Sequence, residues 1–314
     1  MITITSRAVV SETSIERYCV SGHELVSQAS IDGLKAFAIA ASILHNDRSK
    51  QDVLSLISDF GEPELPSIRA GKPYYKGSAY FEGVSRCVEY WRHEPWAQID
   101  VDGTPVCLVN LLHSHIHVLN ENPLGLGLNF EVVTGPALIL LLAQRSVYCL
   151  HAGSVDTAAG RIGIMAESGV GKSTLSAHGG DKWQQICDDI MPLSYDQNSA
   201  TVTVLPTFPQ LKLNGKTVSG FPMPDAALDF IVRINPVPSA QTRFAVLPKP
   251  HAMLEIIRHT VASKLFSAEQ LKQHTEFAQK IASEVPVIEV SYPRELSQLS
   301  ELRERIVVYL ESLK

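Results

Sequence analysis

Cysteine is thinly scattered in this chain. Cys19, Cys87, Cys107, Cys149 and Cys187 form no C-x-x-C pair, which excludes a disulfide framework or a cysteine zinc site and fits reduced, mostly buried thiols. Long apolar runs are missing too. No stretch reaches the roughly 18–20 apolar residues of a membrane-spanning helix. The opening, MITITSRAVVSETSIERYCV, lacks the basic start and apolar core of a signal peptide. Basic charge is in deficit: 27 Lys and Arg against 33 Asp and Glu give a net charge of −6, which argues against general nucleic-acid binding. The expectation is a cytoplasmic protein without membrane or nucleic-acid partners.

With 45% hydrophobic and 19% charged residues the chain should pack as a globular protein. Its 314 residues suggest two domains, by a soft prior of roughly 150 residues each. The boundary is expected before Gly135, giving an α+β module over 1–134 and an α/β domain over 135–314. In the first module, residues 1–10 have strand period, and 33–44 read as helix or strand. The run KQDVLSLISDF at 50–60 has helical period and stops at Gly61. Residues 62–73 read as a loop. Strands dominate 74–118, with a hairpin turning at Asp102-Gly103. On a strand His113, His115 and His117 would share one face. A metal site and a polar, peptide-contacting face are the two readings. No carboxylate or cysteine ligand is evident nearby, which favours the second. No catalytic motif stands in this module, so substrate recognition is its expected role. Residues 120–134 read as a connector and a short strand. Gly135-Pro136 then opens an apolar helix over 137–144.

The chain is organised around YCLHAGSVDTAAGRIGIMAESGVGKSTLSAHGGDKWQQICDDIMPL, residues 148–193. The apolar run Arg161-Ile162-Gly163-Ile164-Met165 reads as a buried strand. It leads through Ala166-Glu167-Ser168-Gly169-Val170-Gly171-Lys172-Ser173 into a helix. Strand, glycine loop and helix are the context of a phosphate-binding P-loop. Glycines let backbone N–H groups converge, and the helix start adds partial positive charge. Lys172 would reach the outer phosphates, and Ser173 would sit on Mg²⁺. The first glycine of the pattern is alanine here, Ala166, which weakens the motif without removing it. Asp188-Asp189 follow at the end of a strand, about fifteen residues after the lysine. Ligands of open α/β sheets bind at such ends. One acid would hold Mg²⁺ while the other takes a proton from an attacking hydroxyl. On chemistry alone His151 stays unassigned.

His151-Ala152, Ala166 to Ser173 and Asp188-Asp189, in that order, resemble the catalytic domain of the HPr serine kinase/phosphorylase family. The likeness is greater to the divergent HPr-kinase-related proteins, some of which accompany lasso-peptide biosynthesis. Phosphoenolpyruvate carboxykinases share the broader fold. The resemblance covers about residues 136–215. It implies a P-loop kinase domain of the HPr kinase/PEP carboxykinase type, preceded by the smaller α+β domain. It implies ATP and Mg²⁺ as cofactors, with the nucleotide on Glu167, Ser168, Gly169, Val170, Gly171, Lys172, Ser173 and Thr174. Ser173 and Asp189 would lie near Mg²⁺, Asp188 would deprotonate an acceptor serine hydroxyl, and His151 would sit beside the transferring phosphate. The implied partner is a peptide or small protein with an acceptor serine, a ribosomal peptide precursor among the candidates. A homo-oligomer is implied too, since family members assemble.

The family signature Leu-Glu-Ile-Arg-Gly has its counterpart in Leu211-Lys212-Leu213-Asn214-Gly215. Lys212 in place of the glutamate reverses a charge beside the metal, against phosphorylase activity and against HPr as substrate. Lys212 is either a phosphate contact or an exposed strand lysine. Two other functions stay open: a small-molecule hydroxyl kinase of the same fold, and a nucleotide-sensing regulator that transfers nothing.

Further along, 200–205, 210–213, 230–234 and 285–290 read as strands. Arg233 reaches a phosphate or forms a structural salt bridge, the second being favoured. Residues 251–266 read as a helix, whose Arg258 the resemblance makes a candidate active-site contact. Ser267-Ala268-Glu269-Gln270 has the capping-box pattern and should open a helix to about Ser283. Residues 294–313 read as an amphipathic helix used for surface packing.

Overall fold

Short alternating strands and few long helices dictate a sheet-based architecture, and the computed structural model has it: mixed α/β. It describes residues 16–21, 23–27, 53–57 (backbone only), 66–119, 128–177, 182–205, 208, 225–238, 241–293 and 298–314. The expected elements at 1–10, 33–44 and 210–213 lie outside them, as does Lys212. No described helix is long and apolar enough to cross a membrane.

The described residues form two compact units. One runs to Arg145 and includes Ala262–Phe266; the other holds the remainder from Ser146 onward. The first unit has strands β1 (Glu16–Val20), β2 (His23–Ser27), β3 (Val53–Ile57), β4 (Tyr75–Phe81), β5 (Val84–His93), β6 (Trp96–Val101), β7 (Thr104–Asn110) and β8 (His115–Val118). They join in one sheet in the order β1-β2-β3-β8-β7-β6-β5-β4. The β6–β7 hairpin turns at Asp102 (φ 50°) and Gly103 (φ 79°), the two positive-φ residues such a turn demands. Residues 50–60 do not follow their helical period: Val53–Ile57 is a strand, parallel to both β2 and β8. Pairing on both edges overrides a local pattern that fits either element over so short an apolar run.

Residues 128–143 correct a second expectation. Leu128–Val132 is already helical (α1), passing through a wide turn at Val133–Ala137 into α2 (Leu138–Ala143). Gly135 leaves helical geometry (φ −93°, ψ −108°) just before Pro136. Proline has no N–H to donate and disfavours the α conformation in the residue before it. The helix therefore kinks there instead of starting there. Every residue of α2 is buried, as its apolar circumference requires.

The second unit contains β9 (Tyr148–Thr157), β10 (Gly160–Met165), α3 (Lys172–Ser176), β11 (Trp183–Cys187), β12 (Ile190–Asp196), β13 (Thr201–Val204), β14 (Ala226–Ala227), β15 (Phe230–Pro236), β16 (Arg243–Val246), α4 (Lys249–Arg258), α5 (Ala268–Glu284), β17 (Val287–Tyr292) and α6 (Leu299–Glu311). The sheet runs β14-β13-β12-β9-β10-β15-β17-β16, with β11 pairing β9 beside β12. Strands β10, β15 and β17 are parallel; the other pairs are antiparallel. Ile162, Ile164, Val232, Ile288 and Val290 pack in one core with Leu302, Ile306 and Leu310 of α6. Helix α4 ends at Arg258, short of its expected end, and α5 opens with the expected capping box at Ser267 and Gln270.

His274 of α5 is buried at 1% exposure, its Nε2 2.8 Å from Thr260 Oγ1 and its ring against Tyr148. Burial pushes its pKa down to about 4. The unfolded imidazole takes up a proton near pH 6.5 that the folded one refuses, so stability falls as pH drops from about 6.5 toward 4. We expect a slope of at most about 1.4 kcal/mol per pH unit from this group in that window. Urea midpoints at pH 4.5 and 7 should differ less in His274→Gln than in wild type; equal differences would refute this.

Candidate functional site

Strand β10 ends at Met165 between β9 and β15, and the loop from Ala166 to Gly171 turns the chain into α3. Gly169 (φ 77°) and Gly171 (φ 107°) hold the left-handed conformations that other residues resist. Ala166 is buried at 2% exposure and is not among the positive-φ residues. The position where the motif departs from pattern is therefore one where backbone conformation does not require glycine. Val170 N–H bonds Glu167 O at 3.3 Å, closing the loop on itself, and α3 begins with Leu175 N–H on Gly171 O at 3.0 Å. The first amides of such a turn keep no intrahelical partner and point outward with partial positive charge.

Lys172 does not extend into solvent. It is 5% exposed, and its Nζ donates to Asp189 Oδ1 at 2.9 Å and to the Asp188 carbonyl at 3.2 Å. The acid pair lies in the bend after β11. His151, on the neighbouring β9, places Nδ1 3.5 Å from the same Asp189 oxygen. Asp188 is 7% exposed, and its Oδ1 accepts from Gln185 Nε2 at 3.3 Å. The two carboxylates thus have different environments, one tied to the loop lysine and the other to β11. Gly153 makes this proximity possible: a Cβ there would meet Ser176 Cβ at 2.6 Å and Asp188 O at 3.3 Å. Cys187, next to the pair, has its thiol pushed up to about 12 by burial, so it stays protonated and is no nucleophile.

The end of α4 closes one side. His151 N–H donates to His259 O at 2.7 Å, and Val261 N–H to Cys149 O at 2.8 Å. This pairing sets Arg258 beside the loop, where its Nη2 meets Glu167 Oε1 at 2.7 Å. Arg258 also bonds Glu255 at 3.0 Å; Glu255 meets Arg233 at 2.7 Å, and Arg233 meets Glu289. Arg233 is accordingly a structural ion-pair residue, the reading favoured by its place in an apolar strand. His259 donates Nδ1–H to Glu255 O at 2.8 Å, and its Nε2 is buried without a hydrogen-bond partner among the described residues. A cavity of about 210 Å³ lies among His151, Ala166, Glu167, Ser168, Arg258 and His259.

No family model and no curated protein matches the sequence. Among solved structures, the HPr(Ser) kinase/phosphatase from Coxiella burnetii aligns over 52% of this chain and 90% of its own, at 13% identity and a TM-score of 0.28. The likeness is distant. What the site can do rests on its own residues.

The structure therefore gathers Lys172, Asp188, Asp189 and His151 at one point, with Glu167 and Ser168 at its rim and Ser173 and Thr174 in the first turn of α3. His113, His115 and His117 belong to the other unit. His115 and His117 lie on one face of β8, with ring centroids 6.2 Å apart. Among the described residues no cluster of three or more His, Cys, Asp or Glu is arranged to hold a metal.

Sequence reasoning missed Arg303. From α6 its guanidinium donates to Thr174 O (3.1 Å), Leu175 O (3.1 Å) and Ala177 O (2.9 Å), and it lies 5.5 Å from the Trp183 ring centre. It satisfies the orphan carbonyls at the end of a one-turn helix. An arginine in an amphipathic helix carries no sequence signal for this role. Arg303→Met should lower stability by about 1–3 kcal/mol, since exposed and half-buried carbonyls at the end of α3 lose a charged donor while Leu175 O keeps the Trp183 Nε1–H. Arg303→Lys should restore part of that loss. Thermal unfolding checks this; an unaltered melting temperature in Arg303→Met would refute the cap.

Proposed function

We propose that this chain is an ATP- and Mg²⁺-dependent kinase that transfers the γ-phosphoryl group to a serine hydroxyl of a peptide or small protein. The observation that carries the reading is the convergence of Lys172, Asp188, Asp189 and His151 beside a glycine loop that opens a helix. Loop amides from Glu167 to Thr174 and the Lys172 ammonium bind the phosphates. The acceptor oxygen attacks the γ-phosphorus, the bond from that phosphorus to the departing ADP breaks, and the hydroxyl proton passes to the Asp188 carboxylate. His151 sits beside the transferring group, and Arg258 is placed to trade Glu167 for a phosphate oxygen. Positioning and charge neutralisation supply most of the rate in such a transfer.

The donors near the loop suit Mg²⁺. Asp189 and Ser173 offer hard oxygens, and Mg²⁺ is ordinarily held by one or two carboxylates together with substrate phosphates and waters, without a dedicated cage. When bound, it would neutralise charge on the β- and γ-phosphate oxygens. Asp189 also engages Lys172 and would hold both cations at the phosphate end.

The serine acceptor, the peptide substrate and the ribosomal precursor as candidate are carried by the sequence resemblance. A cytoplasmic setting and a homo-oligomer belong to the same reading. A sensor that binds ATP without transfer would need Lys172 and not Asp188, so two substitutions separate the functions. Intact-mass measurement of serine-containing peptides with Mg-ATP should show one added phosphate. Asp188→Asn should keep ATP binding and lose transfer by about 10²–10⁴-fold; Lys172→Ala should lose productive binding. Wild-type transfer rates in Asp188→Asn would sink the base assignment. ATP turnover on hydroxyl metabolites but on no peptide would move the function to the small-molecule kinase.

A further inference from the structure

The glycine loop borders two cavities that share no residue. The smaller one touches its first half and contains His151 and Arg258. The other, about 430 Å³, begins at its second half with Val170, Gly171 and Thr174, and is walled by Thr242, Tyr292 and Arg305 among others. Its size falls within the roughly 300–1,000 Å³ of small-molecule sites, and its lining mixes apolar surface with a few polar groups, as such sites do.

A nucleoside triphosphate is a chain with two distinct ends. Lys172 marks where the β- and γ-phosphates lie, and Asp188, Asp189 and His151 mark the transfer end. The nucleoside must then leave the loop from the other side, past Gly171 and Thr174, where the larger cavity opens. We propose that this cavity binds the nucleoside half of the nucleotide. Val170 and Tyr292 give the base its apolar walls. Arg305 and Thr242 supply polar groups for the ribose and base edge. Arg305 is only loosely held, its Nη2 3.4 Å from Thr242 O and its Nη1 3.7 Å from Glu301, so it can turn toward a ligand at little cost. The inference rests on the P-loop reading and adds to it which residues distinguish a nucleotide from bare polyphosphate.

The test compares Mg-ATP with Mg-tripolyphosphate by titration calorimetry on wild type, Tyr292→Ala, Thr242→Trp and Lys172→Ala. Wild type should bind ATP more tightly than tripolyphosphate. Tyr292→Ala, which removes a wall, and Thr242→Trp, which fills the cavity, should each weaken ATP by about tenfold, one good contact's worth, while sparing tripolyphosphate. Lys172→Ala should weaken both ligands. If both cavity variants bind ATP as wild type does, or if wild type holds tripolyphosphate as tightly as ATP, the nucleoside site is overturned while the loop reading stands. Wild type binding neither ligand overturns both. Two variants of opposite steric sense guard against one failing to fold, which a thermal melt of each reports.

Discussion

A buried ammonium is expensive, and the second unit is built around removing that expense. Lys172 loses nearly all its water, so its charge must be answered inside the protein, and the Asp189 carboxylate and Asp188 carbonyl answer it. Several features that look independent follow. The bend after β11 must present an acid and a carbonyl to the same nitrogen, which two consecutive residues leaving a strand can do. Strand β9 must run close under α3, which is why position 153 has no side chain. His151 comes with it, on the same strand, within reach of the same carboxylate. The lysine thus fixes a point where a phosphate oxygen would find a cation, a carboxylate and a ring nitrogen together.

Around this point the charges alternate instead of accumulating. From the loop outward, Glu167, Arg258, Glu255, Arg233 and Glu289 form a chain of ion pairs running from the exposed rim to the parallel strands β15 and β17. Its outer link is solvent-exposed and contributes little to stability. Its inner links are partly buried and hold α4 against the sheet. Such a chain is firm at its root and exchangeable at its tip. A dianionic phosphate arriving at the loop would compete with Glu167 for Arg258 where the existing pair is weakest.

Elements with strong local rules were legible in the sequence. The Asp102-Gly103 hairpin, the capping box at Ser267 and the strand-loop-helix at 161–176 each need particular residues at fixed offsets, and those residues are there. Where the outcome depended on partners distant in sequence, local pattern misled. Val53–Ile57 has helical period but two strands to pair with, and Leu128–Val132 lacks a start signal but has a buried helix to join. In the site, the lysine, acids and histidine could be singled out because a motif orders them along the chain. Arg303 could not: nothing in a surface-patterned helix says that one arginine will terminate another helix more than a hundred residues earlier.

The alanine at the head of the loop shows how far a motif may be trusted. As a pattern, Ala166 is a defect. As structure, the loop makes its two left-handed turns at Gly169 and Gly171, and those are where a Cβ would strain the backbone. Position 166 directly follows β10, buried, without a positive φ, and in an apolar environment that a methyl group helps to fill. Gly171 is the pattern's own second glycine, and Gly169 stands at one of its variable positions. A pattern records residues, whereas a bound phosphate would read where backbone N–H groups point, and in this loop the left-handed turns that orient the backbone fall at Gly169 and Gly171.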